Sequence, residues 1–386
     1  MHETNLKQQT AMTILTPHRL RARVRCQTQH DECALLAPLQ CRGQIGAGVL
    51  LAFDFANIEA FTASYLAILK EGLFMKIKNR TRLIATGLAL AMMMSPAFAG
   101  WTSQTAIPTP INYAAADQID GLVYVAGGFD TSNEAILQVF DPTSQTWTTG
   151  ASMPAARYQA SAGVINSTLY VTGGWSGSLP SDSLFAYNPQ TNSWATLASM
   201  SHLSSCGATG SIDGKLYVTT PCNGNSGYFT LLDIYDPVAN SWTTGADSYQ
   251  AHSQGAAGVI NGKFYVTSGI NTSGVTGATT EVYDPTTNTW TTLRNIPIPV
   301  NAPASAVISG RLYVIGGVSG GSDTTVVQVY DPIQNRWARP VADELPTATD
   351  SLVGVVDYGV LFVTGGSADG SLSGATESLA VLPRVP

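Results

Sequence analysis

Beyond residue 100 the chain breaks into short apolar stretches parted by clusters of Gly, Asn, Asp, Ser, Thr and Pro, and the same order of stretches keeps returning. One unit shows the pattern in full. Ser161 to Ile165, Leu169 to Thr172, Ser183 to Tyr187 and Ser193 to Leu197 are brief runs rich in β-branched and aromatic residues, which predicts strands. The turn between the first two reads Asp120-Gly121, Asp213-Gly214, Asn261-Gly262 and Ser309-Gly310 in other units. Such pairs tolerate positive φ and close tight hairpins. An Asp-Pro or Asn-Pro step follows the third run, where Pro presets φ and the Asp or Asn side chain bonds the backbone ahead of it. Each unit is therefore expected to be a four-stranded antiparallel sheet of about 48 residues.

Two phrases fix the register. One closes on Trp: Phe140-Asp141-Pro142 to Trp147, Tyr187-Asn188-Pro189 to Trp194, Tyr235-Asp236-Pro237 to Trp242, Tyr283-Asp284-Pro285 to Trp290, and Tyr330-Asp331-Pro332 to Trp337. The other runs Leu122 to Gly128, Leu169 to Gly174, Leu216 to Thr220, Phe264 to Gly269, Leu312 to Gly317 and Leu361 to Gly366. With Trp101, the tryptophans are separated by 46, 47, 48, 48 and 47 residues. Trp101-Thr102-Ser103 matches Trp147-Thr148-Thr149 but lacks the preceding phrase, while the last unit has one strand after Gly366, Glu377 to Leu382, and no closing Trp. The segment around Trp101 is expected to supply that missing outer strand.

Period, phrase order and landmarks resemble the kelch repeat over nearly all of residues 101 to 386. The resemblance implies an all-β fold: a six-bladed kelch-type β-propeller with four antiparallel strands per blade, its ring closed by the N-terminal strand around Trp101. Blades pack face to face because a lone sheet of this size cannot bury both faces. The repeated Trp is expected to fill the space between blades, and Gly-Gly to end the second strand where a side chain would collide.

Residues 100 to 386 hold 8 Lys/Arg against 20 Asp/Glu, a balance that disfavours nucleic acid and anionic membrane surfaces. Residues 75 to 99 differ: Met75-Lys76-Ile77-Lys78-Asn79-Arg80, the apolar run Leu83 to Met94, and Ala97-Phe98-Ala99 have the order of a secretory signal peptide, with Gly100 as the expected mature start. No stable membrane insertion is expected after cleavage, and the location is expected to be periplasmic or secreted. Residues 1 to 74 carry no repeat phrase and are left without a function, as upstream mistranslated sequence or a disordered extension. Their Cys26, Cys33 and Cys41 lack the spacing of a metal site.

Cys206 and Cys222 are the only cysteines of the repeat region. With Asp213-Gly214 as the turn, a one-residue bulge brings them opposite each other, so a disulfide is expected, with two free buried thiols as the alternative.

The entries to the innermost strands and the loops after the second strands share one propeller face. Aligned on Asp120, Asn166, Asp213, Asn261, Ser309 and Asp357, the repeats place Tyr113, Arg157, Tyr158, His252 and Asp350 there, with Trp175 in a following loop. Trp175 is the one Trp off the beat, either a platform for a sugar or an apolar partner residue or a cap on the blade edge. Arg157 is read as binding a carboxylate or pairing with Asp182. His202 and His252 have no zinc spacing, no nucleophile elbow is evident, and no metal or other cofactor is expected. The chain is too short and too poor in His to match galactose-oxidase-like copper enzymes. The first reading is a monomeric exported binding module for a protein or glycan. The alternative is a periplasmic carbohydrate-modifying enzyme, by analogy with sialic-acid mutarotases of kelch fold, using a pair such as His252 and Asp350 as acid and base.

Overall fold

The computed structural model describes residues 100–223, 227–340 and 343–381, together with three short strands nearer the N-terminus. The chain divides into two units, residues 1–94 and 95–386. In the first, Ala11–Ile14, Leu20–Arg25 and Leu50–Leu51 pair antiparallel. The remainder of the segment expected to be upstream sequence, and all of the segment expected to be a signal peptide, lie outside the described residues.

The second unit is a six-bladed propeller of four antiparallel strands per blade. The first blade is Ala115–Ile119, Leu122–Ala126, Leu137–Asp141 and Thr146–Thr149. The second is Tyr158–Ile165, Thr168–Ser176, Leu184–Asn188 and Ser193–Leu197. The third is Thr209–Ile212, Lys215–Thr220, Leu231–Asp236 and Ser241–Thr244. The fourth is Ala256–Ile260, Lys263–Thr267, Thr280–Asp284 and Thr289–Thr292. The fifth is Ala304–Ile308, Arg311–Ile315, Val327–Asp331 and Arg336–Ala338. The sixth takes Val353–Asp357, Val360–Thr364 and Thr376–Ala380 from the C-terminal end, and Thr102–Ser103 as its outer strand. Ser103 pairs with Glu377 and Thr102 with Ser378, so the ring closes as expected.

The core is divided into six clusters, each lying between two neighbouring blades. Within a unit the Tyr or Phe of the Asp-Pro phrase packs on its own Trp, with ring centroids 5.0–5.2 Å apart. A Tyr on the second strand of the preceding blade meets the same ring: Tyr124 with Tyr187, Tyr170 with Tyr235, Tyr217 with Tyr283, and Tyr265 with Tyr330, at 5.9–6.1 Å.

The tryptophans fill these interfaces less deeply than expected. Trp290 is 5% exposed, but the other five are half-buried. What they add is directional. Trp194 Nε1–H donates to the carbonyl of Ala151, in the segment leaving the first blade, at 2.7 Å. The N–H of Ala151 donates to Asn192 Oδ1 at 2.7 Å, and that oxygen also accepts from Tyr187 OH at 2.8 Å. Both polar groups of one residue are thus gripped by the next blade. Trp242 with Asn240 grips Ala198, Trp290 with Asn288 grips Ala246, and Trp337 with Asn335 grips Arg294. Across the closure Trp101 donates to the carbonyl of Asp343 at 2.8 Å. The Asn residues hold φ values of 46–53°, which Asn adopts more readily than most side chains.

Two outcomes are expected. Removing residues 100–106 takes away the sixth outer strand and the Trp101 bond, so the melting temperature falls well below that of the 100–386 chain; an unchanged midpoint contradicts the closure. Asn240→Ala orphans the Tyr235 hydroxyl and the Ala198 N–H and costs about 1–3 kcal/mol in urea unfolding. Adding Tyr235→Phe to that variant costs little more, because the hydroxyl has already lost its acceptor.

Candidate functional site at the channel mouth

Each blade repeats one backbone device where its innermost strand begins. A residue there forms an antiparallel bridge to the loop after the second strand: Asn112 with Phe129, Tyr158 with Trp175, Ser205 with Cys222, Ser253 with Ile270, Asn301 with Val318, and Asp350 with Ser367. The next residue is left-handed: Tyr113, Gln159, Cys206, Gln254, Ala302 and Ser351 have φ between 53° and 59°. This turn aims each N–H at the carbonyl of its counterpart in the preceding blade. Gln159 donates to Tyr113, Cys206 to Gln159, Gln254 to Cys206, Ala302 to Gln254, Ser351 to Ala302, and Tyr113 back to Ser351, at 2.8–3.0 Å. The result is a closed circle of six backbone hydrogen bonds around the axis.

The residue before each bridge faces the other way. Ile111, Arg157, Ser204, His252, Val300 and Thr349 occupy this position and all are buried, as strand alternation requires. Two expected face residues are therefore corrected. Arg157 is 6% exposed; it donates to the Ala156 carbonyl and to Ser181 and Ser183 hydroxyls, and lies 5.3 Å over the Phe185 ring. These bonds do not include Asp182, whose charge nevertheless lies near enough to act on the guanidinium. Burial pulls its guanidinium pKa down. His252 is 2% exposed, with Nδ1 at 2.9 Å from the Ser268 carbonyl and Nε2 at 2.9 Å from Glu281 Oε2. His202 does the same work one blade earlier, 3.1 Å from buried Asp233. Both histidines pin the segment that leads into their blade.

Tyr113, Tyr158, Trp175 and Asp350 do reach the mouth. Tyr158 and Trp175 stack at 6.3 Å with 23° between planes, and Phe129 tilts against Tyr158 at 5.5 Å, so three half-buried aromatics form a shelf. Asp350 stands beside the Asp323 carboxyl; its own carboxyl is raised by burial, and Asp323 adds to the rise. Burial also raises the Tyr113 hydroxyl, with Asp350, Cys206 and Asp323 all near enough to add to it.

The cysteines are free thiols rather than the expected disulfide. The expected bulge is absent: Ser205 bridges Cys222 in step with the Ile212–Lys215 pairing, and Cys206 turns left-handed into the ring. Cys206 Sγ contacts Gln159 Oε1 at 3.2 Å and Cys222 Sγ contacts Ser253 Oγ at 3.0 Å.

Behind the mouth runs a channel of about 550 Å³ lined by the innermost strands of all six blades, mostly Ala, Gly, Ser and Val. Asp117 is the one titratable group among its described lining residues. The sixth hairpin turns at Tyr358-Gly359, one residue later than expected. In that register the counterparts of Asp117 are Gly163, Gly210, Gly258, Ala306 and Val355. Its carboxylate accepts from the N–H groups of Gln118 and Val164, the latter on the neighbouring blade, yet enclosure by protein pushes it up to about 6. Sequence reading missed it, although a lone acid among Gly, Ala and Val was the available signal.

The model of the Attractin/LZTR1 beta-propeller matches residues 123–374. This chain belongs to that family. The Attractin/LZTR1 propeller match covers every blade at least in part and is consistent with kelch-type repeats. Among solved structures the chain is similar to one titled "Structure of YjhT", at 20% identity and a TM-score of 0.63, covering 72% of this chain and 97% of that one. That likeness is one of fold. No curated protein matches the chain.

Asp117 gives this family member a specific pH signature. Its folded pKa lies above the ordinary carboxylate value of 3.8, so between there and about 6 the folded chain holds a proton that the unfolded chain has lost. The proton-linked stability is fully present below that window and is lost as pH rises through 6. The stability of Asp117→Asn relative to wild type should therefore climb across this window and level off above it, as measured by thermal unfolding at a series of pH values. A difference independent of pH contradicts the raised carboxyl.

Proposed function

We propose that this propeller is an exported binding module that recognises a protein or glycan through the channel mouth. The observation that carries the reading is the stacked, half-buried pair Tyr158 and Trp175, with the amide-bearing Gln159 next to Tyr158 in the chain. Flat aromatic faces accept apolar ring surfaces or side chains, and neighbouring amides supply both donors and acceptors. Ligand selection falls to these side chains, since the ring's backbone N–H groups are already used within the ring.

Charge narrows the ligand. Lys215, Lys263 and Arg311 sit at the hairpins on the opposite face, paired with Asp236, Asp284 and Asp331. Among the described residues the mouth offers Asp323 and Asp350, while its arginine is buried. A neutral or cationic ligand suits such a surface better than an anionic one. Export to the periplasm or beyond rests on the order of charged, apolar and small residues from Met75 to Ala99. The carbohydrate-modifying alternative loses its acid–base pair, because His252 is held by Glu281 away from the mouth.

The test is a glycan array and an envelope-protein pull-down with residues 100–386. Saturable binding should weaken by about 10-fold or more in Trp175→Ala and in Tyr158→Ala, in line with loss of an aromatic anchor. Lys263→Ala, on the opposite face, should leave it unchanged. Binding that survives both aromatic substitutions removes this face from consideration.

A further inference from the structure

The third blade departs from the others at the mouth. Where its neighbours carry Gly127-Gly128, Gly173-Gly174, Gly316-Gly317 or Gly365-Gly366, it has Thr220-Pro221 followed by Cys222. The second Gly of those pairs donates its N–H to the next blade: Gly128 to Arg157, Gly174 to Ser204, Gly317 to Thr349, Gly366 to Ile111. Pro221 has no N–H to give. The carbonyl of His252, which would have accepted it, takes a bond from Gly255 instead.

Neither cysteine is needed to build the mouth. The counterparts of Cys206 are Tyr113, Gln159, Gln254, Ala302 and Ser351; those of Cys222 are Phe129, Trp175, Ile270, Val318 and Ser367. The other five blades close the same circle of hydrogen bonds with unrelated side chains. The two thiols are nevertheless brought together, because the bridge from Ser205 to Cys222 sets Cys206 beside it, and both remain partly exposed. Each sulfur also has a polar neighbour, Gln159 Oε1 for Cys206 and Ser253 Oγ for Cys222.

We infer that Cys206 and Cys222 form a thiol–disulfide exchange centre at the channel mouth, with Cys206 as the attacking sulfur and Cys222 as the resolving one, acting on small or solvent-exposed disulfides. The asymmetry between the thiols suits these roles. The hydrogen bond from Cys222 brings the Cys206 thiol down to about 7, with Ser205 and Ser253 contributing, whereas that same bond and burial push Cys222 up. A thiol titrating near ambient pH is the effective attacker.

The reaction balances without a cofactor. The Cys206 thiolate attacks one sulfur of the substrate disulfide; the new Cys206–substrate bond forms, the substrate S–S bond breaks, and one thiolate leaves. Cys222 then loses its proton and attacks Cys206 Sγ, expelling the second substrate thiolate. The dithiol is oxidised to a disulfide, the substrate is reduced to two thiols, and a thiol reductant returns the pair to its starting state.

The experiment uses reduced residues 100–386 and bis(2-hydroxyethyl) disulfide, a neutral probe suited to a mouth whose accessible charges are carboxylates. Intact mass follows the products near neutral pH. Cys222→Ser should stall as a mixed disulfide on Cys206, and Cys206→Ser should form its adduct at least about tenfold more slowly. The wild type should pass to the Cys206–Cys222 disulfide and be reduced again by dithiothreitol without unfolding, as followed by circular dichroism. The pH midpoint for alkylation of Cys206 should rise in Cys222→Ala, which removes the thiol donor. Should Cys222→Ser fail to fold, Cys222→Ala serves in its place. Equal adduct rates on the two variants overturn the assignment, as does no reaction in the folded chain, or a disulfide that resists reduction until the protein unfolds.

Discussion

The fold depends on gripping the peptide groups of one blade with the side chains of the next. A four-stranded sheet of this size has two apolar faces and cannot bury either alone, so each blade is stable only between neighbours. Hydrophobic contact is not directional and would let blades slide along their shared clusters. The Trp of each outer strand, joined by an Asn in the second to fifth blades, removes that freedom, since the N–H and C=O of Ala151, for example, meet Asn192 and Trp194 together. At the inner radius the left-handed residues do the equivalent with backbone alone. Two concentric sets of inter-blade bonds thus fix the position of each sheet near the axis and near the rim.

Much of this was legible because repetition makes a sequence its own alignment. Strand number, hairpins, blade count and the role of Trp101 followed from the Trp interval and the Asp-Pro and Gly-Gly phrases. The site was less legible, and the errors have one physical source. Arg157 and His252 look like site residues as isolated letters, but their counterparts Ile111 and Val300 are apolar, and a residue sharing their position on an alternating strand points inward too. Comparing chemistry down a repeat column would have moved both off the face. The same comparison would have raised Asp117, whose column otherwise holds Gly, Ala and Val. The left-handed circle was beyond reach, because Tyr, Gln, Cys, Ala and Ser share no preference for positive φ. Tertiary hydrogen bonds impose it.

The buried polar groups follow the same logic of columns. Gln138, Asp233, Glu281 and Gln328 lie at equivalent points of their third strands and are buried. Each ties down the segment entering its blade: Gln138 through Thr109, Asp233 through His202, Glu281 through His252, and Gln328 through Ile298. One structural need is met by amide–backbone bonds in two blades and by imidazole–carboxylate pairs in two others. The histidines are therefore exchangeable solutions to a packing problem, which explains why they resemble no catalytic arrangement.

The circle at the mouth has an electrostatic consequence. Peptide dipoles aligned end to end along a helix add up and leave a field at its terminus. Here six N–H···O=C links run head to tail around a closed loop, so their tangential components sum to nearly nothing. The propeller gains a stiff collar at the entrance to its channel without placing a fixed backbone charge there. The sign and strength of the field that an incoming molecule feels are left to Asp323, Asp350 and the ionisation state of Cys206, so the entrance is rigid in shape yet adjustable in charge.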